Sequence, residues 1–192
     1  ALILGMGTST WMFLREREAR KRAVAAEQAQ RKLREEAELR ELDTRAHQLS
    51  SFVFDTESAI QARRKALEAQ RRLFGSESSE VADSLEDLGR LLRVQKNFSG
   101  AEQALHEALA IRRKNSPDGD LRVAHSLLKL AYVLGDQDKW TNQQKVFGEA
   151  VRILRQDQGD ESVETAMAIN ELAVSLSKDG KQAEALPLYR EA

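Results

Sequence analysis

Apolar residues return to one helical stripe in segment after segment of this chain. Val81, Leu85, Leu88 and Leu92 keep steps of three and four, and after a short polar break Ala101, Leu105, Ala108 and Leu109 do so again. This spacing predicts two amphipathic helices. The same pairing recurs with Val123, Leu127, Leu130 and Leu134 followed by Val146, Phe147, Ala150 and Val151, then with Ile169, Leu172 and Leu176 followed by Leu186, Tyr189 and Ala192. No long stretch alternates with period two, so strands are not predicted. The repeat length is 42 residues. Ala66, Ala108, Ala150 and Ala192 share one phase; Ala82, Ala124 and Ala166 a second; Leu88, Leu130 and Leu172 a third; Leu92, Leu134 and Leu176 a fourth. A period in this range predicts a stacked array in which each helix pair buries its apolar face against the next. Gly75, Pro117 and Gly159 fall between pairs at one phase, where glycine accepts a left-handed cap and proline cannot continue a helix. Gly89, Ala131 and Ala173 share another, where a small side chain lets two helices approach closely.

Ahead of the repeats the pattern changes twice. Ala1 to Leu14 carries no charge and is followed at once by Arg15, Arg17, Arg20, Lys21 and Arg22. We read 1–14 as the C-terminal part of a transmembrane helix, with Trp11 as interfacial anchor and the basic cluster as its flank, giving a single-pass membrane-anchored chain. From Glu16 to about Ser50 there is no glycine or proline and Ala, Arg, Glu, Gln and Lys dominate, which predicts a long exposed helix, a stalk over 15–45. Leu39, Leu42, Ala46, Leu49 and Val53 form a short coiled-coil seam. That seam serves either a homodimer through the stalk or an N-terminal cap docked on the helix around Ile60 to Leu73. The repeat array occupies 46–192, and the chain stops inside the second helix of the third pair.

Composition narrows the function. With 32% charged and 5% aromatic residues the profile is helix-rich, the absence of cysteine removes disulfides and thiolate metal sites, and a net charge of −1 argues against a nucleic-acid partner. Basic runs at Arg63 to Lys65, Arg71-Arg72, Arg112 to Lys114 and Arg155 recur near helix C-termini, where we read them as solvated charges opposing the helix dipole. His47, His106 and His125 are scattered, with no metal-ligand spacing and no catalytic grouping. No catalytic residue, cofactor or metal is predicted.

The residues of the repeat resemble the tetratricopeptide motif. Leu88-Gly89 with Phe98, Ala101, Leu105 and Ala108 fits it, as do Leu130-Ala131 with Trp140, Phe147 and Ala150, and Leu172-Ala173 with Ala185, Tyr189 and Ala192. Gln143 stands where the motif has alanine, and Gln182 where it has an aromatic. HEAT and armadillo arrays overlap this length; the small residue after leucine, recurring together with the aromatic–alanine spacing, favours the tetratricopeptide reading. The 42-residue period resembles the variety found in kinesin light chains. The resemblance implies an all-α, tetratricopeptide-like α-solenoid of antiparallel helix pairs, preceded by the long helix.

The order of segments, an apolar run, a charged helix and then repeats, resembles the C-terminal region of bacterial transmembrane serine/threonine protein kinases. This implies the sensor or docking half of such a kinase, with any phosphoryl transfer in sequence not present, because the chain has no HRD catalytic loop, DFG or Gly-rich loop. The alternative is a soluble or signal-anchored adaptor without kinase activity. The side of the membrane on which the repeats lie is left open. In tetratricopeptide arrays the exposed positions of successive first helices line a concave binding face. Mapped by phase these are Asp83, Glu86, Asp87 and Arg90, then His125, Leu128, Lys129 and Tyr132, then Met167, Asn170, Glu171 and Val174. Asp87, Lys129 and Glu171 hold the position where carboxylate-clamp members carry asparagine. The expected ligand is therefore an extended or helical protein segment bound by apolar and paired polar contacts, with no free C-terminal carboxylate captured.

Overall fold

The structure is a computed structural model describing residues 2–51, 56–116 and 120–192. Among the described residues eight helices follow one another with no strand: α1 (Leu2–Ser51), α2 (Thr56–Phe74), α3 (Ser79–Val94), α4 (Phe98–Asn115), α5 (Leu121–Gly135), α6 (Trp140–Gln158), α7 (Val163–Lys178) and α8 (Gln182–Glu191). The chain divides into two units, residues 1–41 and Leu42–Ala192, and α1 runs through both.

In the first unit α1 is held by local effects. Strong helix formers fill it, and Glu16–Arg20 at 2.6 Å, Glu18–Arg22 at 3.7 Å and Arg31–Glu35 at 3.0 Å bridge successive turns. Val24 and Leu33 are exposed along this stretch. The membrane anchor expected over 1–14 is corrected: among the described residues no helix is long and apolar enough to cross a membrane. The same helix runs on from that uncharged stretch into charged sequence. Arg15, Glu16, Arg17 and Glu18 follow directly.

In the second unit, α3–α4, α5–α6 and α7–α8 form the predicted pairs, and α2 packs on α3 as α4 packs on α5 and α6 on α7. One core runs through them, from Ile60 and Leu67 through Leu85, Leu105, Leu127 and Leu130 to Ile153 and Ile169. Ala66, Ala108 and Ala150 are fully buried at their shared phase. The end of α1 belongs to this unit, with Ala46 fully buried and Leu49 packed against the core; Leu39, in the first unit, is also buried. Val53 and Pro117 lie outside the described residues. Gly89 explains the small-residue phase directly, since a Cβ added there would meet Leu105 Cγ at 2.7 Å.

The turn inside each pair is built the same way three times. The amides of Asn97, Lys139 and Lys181 donate to the carbonyls of Leu92, Leu134 and Leu176, at 2.8, 3.0 and 2.9 Å. This requires a left-handed residue just before the donor. Lys96 (φ 64°), Asp138 (φ 58°) and Gly180 (φ 79°) fill that place, and only the last pair uses the residue with no Cβ penalty. Lys96→Gly is therefore expected to stabilise the fold by about 1 kcal/mol, seen as a higher urea midpoint with an unchanged slope. An unchanged or lower midpoint would reject this account of the turn.

Candidate functional site

The exposed faces of α3, α5 and α7 carry the twelve predicted groove residues, and the fold sorts them into two recesses. Between α3 and α5 lies a cleft of about 220 Å³, floored by Leu105 and Val133 and walled by Glu86, Asp87, Arg90, Arg93, Lys129 and Tyr132. Five of the predicted residues meet there. Between α5 and α7 a second recess of about 150 Å³ brings Tyr132 together with Glu171 and Val174, beside Gly135, Asp136, Gln143 and Lys178. Tyr132 is the wall common to both. Its ring stands edge-on to Phe147, centroids 5.8 Å apart, and the Arg93 guanidinium lies 5.5 Å from its centroid while bonding Asp136 at 2.5 Å. Burial, and next the negative charge of Glu171, push the Tyr132 phenol up from its ordinary value.

The other predicted residues lie outside these recesses. Leu128 is partly buried against the core. His125 meets the Glu164 carboxylate at 2.5 Å, and a hydrogen bond from Gln158, then His125, holds that carboxyl below its usual range. Met167 and Asn170 are exposed and line neither recess.

Charge is distributed differently from what residue types suggest. Glu86 is buried, accepts from Ser126 Oγ at 2.5 Å and from Lys129 Nζ, and lies 3.5 Å from the buried Arg112, which also pairs with Asp83. Arg63, also buried, pairs with Asp87 and with Asp43, each at 3.0 Å. The three groove acids of α3, Asp83, Glu86 and Asp87, are thus paired with arginines buried in the fold. Arg90 alone among the α3 groove residues makes no ion pair with a described residue, and Glu171 is its counterpart on α7.

This corrects the reading of the basic runs. Arg63 and Arg112 are core residues, and three others form a ladder along the second helices of the pairs: Arg71–Glu107 at 2.6 Å, Arg113–Glu149 at 2.7 Å and Arg155–Glu191. Both series step by 42 residues, a signal already present in the sequence. Gln143 also finds its reason. Its side chain lies against Gly135, where any Cβ would collide with it, and its Oε1 accepts from Ser175 Oγ at 2.6 Å. Gln182 exchanges hydrogen bonds with Ser177 across the α7–α8 turn. Sequence reasoning missed Arg93, Leu105, Val133 and Lys178 as lining residues. Arg93 stands one helical turn beyond Arg90 on the same stripe, and Leu105 lies opposite Gly89. Among the described residues no group of three metal-binding side chains converges.

Family models of the tetratricopeptide repeat match residues 45–114 and 165–192. No curated protein matches the chain. Among solved structures, BtubC (BKLC) from P. vanneervenii is similar at a TM-score of 0.66 and 18% identity, covering 70% of this chain and 54% of its own. The chain therefore spans about half the length of that relative. A Podosopora anserina putative kinesin light chain with nearly identical TPR-like repeats is similar at a TM-score of 0.70 and 17% identity, covering 77% of this chain and 71% of its own. The stretch between the two family matches, where Gln143 departs from the motif, still contains the α5–α6 helix pair. With the motif matched on both sides of that pair and the solenoid fold throughout the second unit, the chain is a tetratricopeptide-repeat protein.

Proposed function

We propose that Leu42–Ala192 is a noncatalytic interaction scaffold that binds a protein segment along the exposed faces of α3, α5 and α7. The observation that carries this reading is the cleft between α3 and α5, with an apolar floor, a charged rim and Tyr132 held in place as its wall. A floor of Leu105 and Val133 suits one apolar side chain of a bound segment, and the rim suits polar contacts on either side. The layout that resembles the C-terminal region of a transmembrane serine/threonine kinase is carried by segment order alone, and its membrane element is corrected above. No phosphoryl transfer is assigned to these residues.

The test is a peptide-display selection against the whole chain, followed by affinity measurements on the selected peptides. Tyr132→Ala with Arg90→Ala, two residues that line the cleft, is expected to weaken them at least tenfold while helicity is retained. Selected peptides that bind this variant as tightly as the parent would reject the groove.

A further inference from the structure

The first helix pair of the array, the end of α1 with α2, differs from the pairs after it at the positions that matter most. Asp43 stands 42 residues before Leu85 and 84 before Leu127, and Arg63 stands at the same intervals before Leu105 and Phe147. Those four apolar residues are buried core. In the first pair their places are taken by an aspartate and an arginine bonded at 3.0 Å. Two further leucine phases are also reduced, Ala46 standing where Leu88 and Leu130 follow and Ser50 where Leu92 and Leu134 follow. Among the described side chains of Leu42–Ser51, Ala46 is the fully buried apolar one and Leu49 is partly buried against the core.

Its polar contacts are incompletely satisfied. Arg63 Nε is buried without a hydrogen-bond partner, Gln70 reaches Asp43 only at 3.4 Å, and Gln70 Oε1 is buried unpaired. A buried guanidinium holding two carboxylates, with side chains 38% and 45% exposed, is a contact of strict geometry and low net strength. Asp87 also lines the α3–α5 cleft, so one guanidinium touches both the end of α1 and the candidate groove.

We infer that Leu42–Ser51 is fastened to the repeats by a polar latch, Asp43–Arg63–Asp87, in place of the apolar pair used by the later repeats, and that it opens as a unit while the later helix pairs stay closed. The direct measurement is amide hydrogen exchange on the whole chain. Amides of 43–49 should exchange at least tenfold faster than those at the centres of α5 and α6, and more salt should widen the gap by screening the half-exposed carboxylates. Asp43→Leu with Arg63→Leu, which restores the apolar phase, should slow exchange of 43–49 at least tenfold and abolish the salt effect. Asp43→Asn, which keeps the shape and removes the charge, should speed exchange of 43–49 and leave α5 unchanged. Exchange of 43–49 in step with α5 in the parent chain, or a salt response equal in the two segments, would overturn the latch.

Discussion

Phe147→Ala is expected to lower the unfolding free energy by about 3–5 kcal/mol, among the largest single effects in the chain. Phe147 has no exposed surface and is the largest fully buried side chain among the described residues. It sits on α6 between α5 and α7, so its removal opens a cavity that two helix pairs would have to close. Tight packing limits that collapse, because Ala150 and Ala131 already bring the backbones together. The loss reaches the candidate groove as well, since Tyr132 loses its edge-on partner 5.8 Å away. Urea titration followed by circular dichroism measures the effect, and Phe147→Leu, which refills part of the space, should lose clearly less. A loss under about 1 kcal/mol for the alanine variant would mean that the site is not closed as described.

The second large effect is expected at Glu86, predicted from its phase to be a groove residue and found buried in the wall of the α3–α5 cleft. Glu86→Ala should cost about 3 kcal/mol, because it leaves the buried Arg112 guanidinium to Asp83, whose side chain is 68% exposed, and frees Lys129 and Ser126. Much of that cost is the stranded charge. The next repeat supplies the control, carrying Leu128 and Leu154 at the phases of Glu86 and Arg112. Glu86→Leu with Arg112→Leu removes both charges and should therefore fall within about 1 kcal/mol of the parent, although Glu86→Leu alone does not. Single and double variants that add independently would show that the two residues are not coupled.

The period, the pairing of helices and the small-residue positions could be read from sequence because in a solenoid each unit touches only its neighbours, so every repeat states the same contacts again. Gly89 against Leu105 is one such contact, written a second and third time as Ala131 and Ala173. The Arg71–Glu107 ladder is equally present in the 42-residue step, but each ion pair joins helices of successive repeats, so no single helix shows it. The run at 1–14 suggests a membrane helix by its apolar character, but among the described residues no helix is long and apolar enough to cross a membrane.

The groove was legible only as a face. Phase assigned Glu86, Asp87 and Lys129 to one surface, and the fold brings them to one cleft, but phase says nothing about which charges meet. Arg63 and Arg112 come from other helices, more than twenty residues away in sequence, and their guanidiniums turn an acid-rich face into one whose acids are already paired. Gln143 looked like a departure from the motif until Gly135 and Ser175 supplied its space and its donor. The sequence by itself determined which residues are helical, which repeat and which face inward, because these follow from the spacing of apolar side chains along one helix. Tertiary structure alone decided which charges neutralise one another and where space is left between helices, because an ion pair and a cavity are properties of atoms that the chain brings together from different repeats.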